Sequence, residues 1–424
     1  MKKTTVTMLI VVSLVLMPVL AVLALQSDSV PVDVSPYNDT NAQVWGNYIV
    51  WRRFNNDDEY NQYADWGDEP SWIMVHNIVT GETWNITPAN VMNEHESYEW
   101  AESPSIWNGH IIYEYTVGGD SNEQKVFMYN ISTGETWDVP IPISYQAGQL
   151  CRIHGDWIMT TDYDDGRRQL YLYNYVTTEF KTLISDAQPE TTGDVTAYGD
   201  FYIFDRYNPS TLVHQICIFN VSSYQMLFLD ATDVGINNLR LADCYEEKLL
   251  IFALEVTPTS SWNEYIYDFS SVDWTSFGAT TIYYWNTHIY ANLIPIDRDF
   301  TTDAQGGAIW GEWVVYADYP GIVGSVSPNV RAVNYVSNTT MNLTYNVYFQ
   351  YPTDMYLDKV VFMDNKNSDT NYGDQRDDFD VYRLTTDVEA MSSSIWALLP
   401  LIMVAMAAIA IGAAAKVMGG GGRW

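Results

Sequence analysis

Two stretches of this chain mix aromatic rings with carboxylates densely enough to suggest a ligand surface. Residues 54–71 (FNNDDEYNQYADWGDEPS) bring Trp66 together with Asp57, Asp58 and Asp65. Residues 256–280 do the same with Trp262, Trp274, Asp268 and Asp273. Indole and phenol rings stack on the apolar faces of sugars while carboxylates accept their hydroxyls. The same side chains also suit a protein interface, or a loop packed on its own domain.

Oxygen ligands recur at two further places. Asp162, Asp164 and Asp165 (DYDDG), and Asp369, Asn371 and Asp374 (DTNYGD), are spaced like short Ca²⁺ loops, although neither has a full ligand series. Ca²⁺ is the one cofactor these residues would take. An acid also ends a recurring apolar strand, at Glu114, Asp162, Asp205, Glu255, Asp318 and Asp364. In a ring of repeats these acids are expected to meet at one mouth. The chain has no H-E-x-x-H, G-x-S-x-G, P-loop or G-x-G-x-x-G, and its six histidines form no spaced pair. No catalytic residue is assigned.

What must position these residues is a repeat. NIVTGETW at 77–84 returns as NISTGETW at 130–137. A tight turn recurs at Trp45-Gly46-Asn47, Asn108-Gly109-His110, His154-Gly155-Asp156, Tyr198-Gly199-Asp200, Tyr245-Glu246-Glu247, Trp310-Gly311-Glu312 and Tyr356-Leu357-Asp358. After each turn comes an apolar strand (YIVW, IIYE, WIMTTD, FYIFD, LLIFALE, WVVYAD, KVVFMD). A third strand follows (WIMVHN, VFMYN, LYLYN, ICIFN, TIYYWN, RAVNY, FDVYRL), and then the Asn-x-x-Thr-Gly turn or a relative of it. Apolar alternation punctuated by Gly, Asn and Asp reads as strands and hairpins. Seven copies of four strands describe an all-β, seven-bladed β-propeller over residues 42–390, with six or eight blades as alternatives.

The expected order is a signal peptide (1–24), an N-terminal segment (25–41), the propeller, a linker (391–394), a transmembrane helix (395–415) and a cytoplasmic tail (416–424). Val30, Val32 and Val34 alternate as a half-buried strand does, so the N-terminal segment is expected to complete blade seven. Because antiparallel strands alternate in direction, the W-G-N and Asn-x-x-Thr-Gly turns share one face. The two aromatic and acidic stretches, read as inserts between the second and third strands, fall on the other.

The repeats resemble the TolB-like, WD40-like propeller family. DYDDGRRQLYLYNYVTTE (162–179) and DQRDDFDVYRLTTD (374–387) are its best matches. The resemblance spans residues 42 to about 388, on a motif of low specificity that lacks the family's Ser-Pro-Asp-Gly turn. It implies a propeller whose relatives bind partners, recognise substrates or occasionally catalyse.

The ends and the charge place the domain. Lys2 and Lys3 precede an apolar run to Leu25, as in a secretory signal. The 21 residues from Ile395 to Ala415 span roughly 31 Å as a helix, about one hydrocarbon core. Lys416 and Arg423 follow, giving a single-pass type I orientation with an extracellular ectodomain. Between these segments 16 basic residues face 53 acidic ones, a net charge of −37 that excludes nucleic acid as a partner. Sequons stand at Asn38, Asn85, Asn130, Asn220, Asn338 and Asn342. Three cysteines (Cys151, Cys217, Cys244) allow one pair at most.

Acidity, sequons and a single anchor resemble surface proteins of archaeal-type envelopes. The expected function is binding or scaffolding of envelope protein or polysaccharide through the insert face. The alternatives are a carbohydrate-active enzyme using mouth carboxylates, and a surface-coat component.

Overall fold

The structure is a computed structural model. It describes residues 30–32, 38–54, 71–87, 101–117, 123–141, 147–164, 167–184, 195–208, 213–230, 236–255, 261–274, 283–288, 293–296, 305–318, 329–344, 350–357, 359–364 and 380–385. The described strands lie in the unit Asp28–Leu384, with only Thr385, the end of the last strand, beyond it. The expected signal peptide and transmembrane helix fall outside the described residues. Among the described residues no helix is long and apolar enough to cross a membrane.

Among the described residues the strands form seven sheets. Each begins with an inner strand: Asn38–Trp45, Ala101–Trp107, Ala147–His154, Val195–Tyr198, Ile236–Tyr245, Gln305–Trp310 and Gln350–Tyr356. The next strands pair antiparallel in sequence order, outwards from it. Seven separate apolar clusters fill the spaces between consecutive sheets. One of them, with Trp51, Ile49 and Val361, joins the last sheet to the first, just as Val50, Ile73, Ile111 and Tyr113 join the first to the second. The sheets therefore form a closed ring, a β-propeller. In the last sheet the outermost strand is N-terminal: Val30 pairs with Arg383 and Pro31 with Tyr382.

Two local devices repeat around the ring. The hairpin after each inner strand puts its first loop residue at positive φ. Glycine fills that position in four sheets, and Asn108, Glu246 and Leu357 fill it in the others. The Asn that ends the third strand accepts the next two or three backbone N–H groups through its side chain, as Asn77 does from Val79 (2.9 Å) and Asn130 from Ser132 (2.8 Å). In the first six sheets the two turns are tied together by one backbone bond, such as Ile78 N–H to Asn47 O at 2.8 Å and Tyr335 N–H to Glu312 O at 3.0 Å. Both turns thus share the turn face, and the loop face lies opposite.

The fifth sheet departs from expectation. Its third strand is Ser261–Asp268, pairing Leu249 with Tyr267 and Lys248 with Asp268, and its fourth is Leu293–Pro295. TIYYWN does not fill the third position. Tyr283–His288 instead adds as a fifth, parallel strand on Gln225–Asp230 of the fourth sheet. EYIYDF and TIYYWN carry the same apolar alternation, and the nearer one takes the partner. The long connection in this sheet therefore joins the third and fourth strands, not the second and third.

Candidate functional site

The residue before each first turn is aromatic, and the inner strands bring all seven of these together. Trp45, Trp107, His154, Tyr198, Tyr245, Trp310 and Tyr356 form a closed circuit of ring contacts. Centroids are 6.2, 3.7, 5.3, 4.8, 4.7 and 4.5 Å apart in that order, and Tyr356 returns to Trp45 at 6.0 Å. All are half-buried except His154, which is 7 % exposed. This annulus closes the turn-face end of the central channel.

Side chains two residues earlier point the same way along a strand. Those positions hold Gln43, Ser105, Arg152, Thr196, Asp243, Ala308 and Asp354. Register shifts in six of the inner strands, for example between Leu241 and Asp243 and between Pro352 and Asp354, re-aim this layer. The layer stitches neighbouring sheets together. Ser105 Oγ accepts the Ile153 N–H at 3.2 Å, and Arg152 Nε donates to Val195 O at 2.9 Å. Thr196 Oγ1 donates to Asp243 at 2.9 Å, whose other oxygen accepts the Ile309 N–H at 3.0 Å. Asp354 accepts the Val44 N–H at 2.8 Å. With its amide oxygen turned to the channel, Gln43 accepts from Arg152 Nη1 at 2.9 Å, so the guanidinium reaches across the axis.

Between annulus and belt lies a cavity of about 120 Å³, the share of about four waters. Burial sets its electrostatics. Desolvation, reinforced by the nearby Asp243, pushes the Asp354 carboxyl up to about 8, and the Val44 and Met355 amides and Arg152 offset this only in part. Burial also raises Asp243 and lowers His154 to about 4, so that imidazole is neutral. The channel thus holds one guanidinium and two acids whose proton affinity burial raises.

The sequence-derived candidates that the structure describes lie outside this channel. Asp57, Asp58, Asp65 and Trp66 fall outside the described residues. Trp262 pairs with Leu254 at the loop-face end of its strand, whereas Asp268 pairs with Lys248 at the turn-face end. Asp268 plays the turn-capping part of Asn, accepting the Ser270 N–H at 2.9 Å. Asp273 is exposed, and Trp274 packs on Phe201 and Phe269 with centroids 5.4 and 6.4 Å apart.

Asp162 and Asp164 lie in the strand Trp157–Asp164, opposite Gln169 and Arg167 of the next strand. Asp165, Asp369, Asn371 and Asp374 fall outside the described residues. Among the described residues no three His, Cys, Asp or Glu side chains gather as a metal site. The second strands sit one place out from the inner strands of their sheets. Glu114 and Asp205 are 1 % and 3 % exposed within the sheets. Asn220 is 6 % exposed, Asn85 and Asn130 are half-buried, and Asn338 and Asn342 are exposed. Asn38 begins the first inner strand. All three cysteines are buried free thiols, each in a different sheet.

The channel residues had a legible signal, since aligning the seven turns puts an aromatic before each and a mainly polar residue two places earlier. No protein-family model and no curated protein matches the chain. Solved structures do. The β-propeller domain of the Trilobed protease from Pyrococcus furiosus is similar at TM-score 0.56 and 9 % identity, over 82 % of this chain and 95 % of that one. The Pyrococcus horikoshii acylaminoacyl peptidase is similar at TM-score 0.53 and 10 % identity, over 77 % of this chain and 49 % of that one. TolB from Acinetobacter baumannii follows at TM-score 0.40 and 13 % identity, over 65 % and 60 %. The chain spans about half of the peptidase's length, and at these identities the likeness is one of fold: the chain is a β-propeller.

Proposed function

We propose that this chain is a membrane-anchored, extracytoplasmic binding propeller of seven blades. It holds cell-envelope proteins or glycans at the aromatic mouth on its turn face. The observation that carries this reading is the closed circuit of seven aromatic side chains, six of them half-exposed at one end of the axis. Half-exposed Trp and Tyr offer large rigid contact area with a polar edge, the composition of interface centres. The anchor and the outward orientation rest on the apolar run 395–415 and on its flanking Lys416 and Arg423.

One observation favours a second reading, a carbohydrate-active enzyme. Asp243 and Asp354 are neighbouring buried acids, with Asp354 pushed up to about 8, and glycoside hydrolysis uses a pair of carboxyl groups. Against it, Asp354 accepts the backbone amides of Val44 and Met355, and Asp243 the Thr196 hydroxyl and the Ile309 backbone amide. A cavity of about 120 Å³ also leaves little room for a sugar ring between them. Binding takes precedence.

The test is capture from an envelope extract by the detergent-solubilised full chain, compared with Trp45→Ala and Trp310→Ala. The binding reading predicts one or more captured components lost from both variants. Self-association alone would support a coat component, and release of a cleaved glycan, lost in Asp243→Asn, would support the enzyme.

A further inference from the structure

We propose that the aromatic mouth and the channel beneath it form a receptor for an organic ammonium group, which enters among the rings and is neutralised by the carboxylates of Asp243 and Asp354. This deepens the binding function above and rests on its assignment of the mouth as the ligand surface.

Three features converge on that chemistry. First, the wall is aromatic: Trp45, Trp107, Tyr198, Trp310 and Tyr356 all line the cavity. Ring faces attract cations, and alkylated ammonium groups most selectively, because they shed water readily. Second, the floor carries two carboxylates and one fixed cation. The Arg152 guanidinium is turned away from the mouth, towards Val195 O and Gln43, and its charge is matched by one acid. The other acid remains, and among the described residues the cavity lining holds no second Lys or Arg to match it. Third, the cavity of about 120 Å³ fits a trimethylammonium or lysine-type head and little more.

The raised affinity of Asp354 for a proton reports the same vacancy of positive charge. The groups facing it are Asp243 from the fifth sheet and Arg152 and neutral His154 from the third. At neutral pH a proton fills the vacancy. An entering ammonium ion displaces that proton to solvent, so the charge in the channel is unchanged by the exchange. Two signatures follow: close to one proton released per ammonium bound at pH 7, and affinity about tenfold higher at pH 9 than at pH 7.

The experiment is calorimetric titration of the detergent-solubilised full chain with tetramethylammonium chloride. It is run at pH 7 in two buffers of different ionisation enthalpy, against sodium chloride at equal ionic strength and tert-butanol as the neutral isostere. The expected result is saturable binding of tetramethylammonium alone, with release of close to one proton. Trp310→Leu should weaken binding at least tenfold, and Asp354→Asn should bring proton release to zero and flatten the pH dependence. Circular dichroism establishes that each variant is folded. If Trp310→Leu unfolds, Tyr356→Leu replaces it.

Binding no different from sodium, equal binding of tert-butanol, or unchanged proton release in Asp354→Asn would each overturn the proposal. Displacement of a captured envelope component by tetramethylammonium would identify a protein amine as the natural source, and retention of that component would identify a free one. If tetramethylammonium fails to bind while mouth variants still lose the envelope component, the ammonium assignment falls and the mouth remains the binding surface.

Discussion

The Asp354 carboxylate accepts the Val44 N–H at 2.8 Å, linking residues 310 positions apart where the last sheet meets the first. Ring closure therefore depends on a titratable group. Its folded pKa of about 8 lies above the ordinary Asp value near 3.9. The folded state thus binds more protons between those limits, and this group's contribution is full below about pH 4 and lost as pH rises through about 8. Asp354→Asn keeps one acceptor for the amide without a proton to lose. Its melting temperature should sit below wild type at pH 5 and approach or exceed it at pH 8.5, a swing of several degrees at roughly 2–4 °C per kcal/mol. Parallel curves across that range would exclude this role.

A buried ion pair holds the first sheet. Arg53 Nε and Nη2 each lie 2.8 Å from an oxygen of Asp39, which is fully buried. Arg53→Met strands the carboxylate and should cost about 3–5 kcal/mol, while Asp39→Leu with Arg53→Met should cost much less. Chemical denaturation of both variants checks the asymmetry.

Leu357 takes the left-handed turn position at φ 54° while 53 % exposed, where four of the other turns use glycine. Replacing it with glycine removes a backbone penalty of about 1–2 kcal/mol and forfeits little burial. Leu357→Gly should raise the denaturation midpoint with an unchanged slope, whereas Gly311→Leu should lower it.

The sequons divide by accessibility. Asn220 is buried, and its side-chain oxygen accepts the Ser222 and Ser223 amides at 2.9 Å each. Asn338 and Asn342 are exposed. Glycopeptide mass spectrometry of the protein from its native source should find glycan at Asn338 or Asn342 and none at Asn220.

Much of the fold was legible because the repeat is written in turn chemistry. Gly46, Gly155 and Gly311 mark the same left-handed corner, and Asn77, Asn130 and Asn174 the same side-chain cap. The fifth sheet was misread because Asp268 replaces that Asn, so the cap at Ser270 carried no sequence flag. The mouth is dispersed in the sequence: Trp and Asp are dense at 54–71 and 256–280, whereas the ring brings together single residues 44 or more positions apart. His154 and Trp107 reveal nothing locally, yet their rings lie 3.7 Å apart. Only closure of the ring makes seven isolated residues one surface.

The proposed binding function predicts which face is covered when a captured ligand binds. Hydroxyl-radical footprinting of the full chain, with and without its captured component, reads this at single tryptophans and tyrosines. Protection of Trp45, Trp310 and Tyr356 on the turn face is the predicted result. Protection of Trp66 and Trp262 with the mouth unchanged would contradict it.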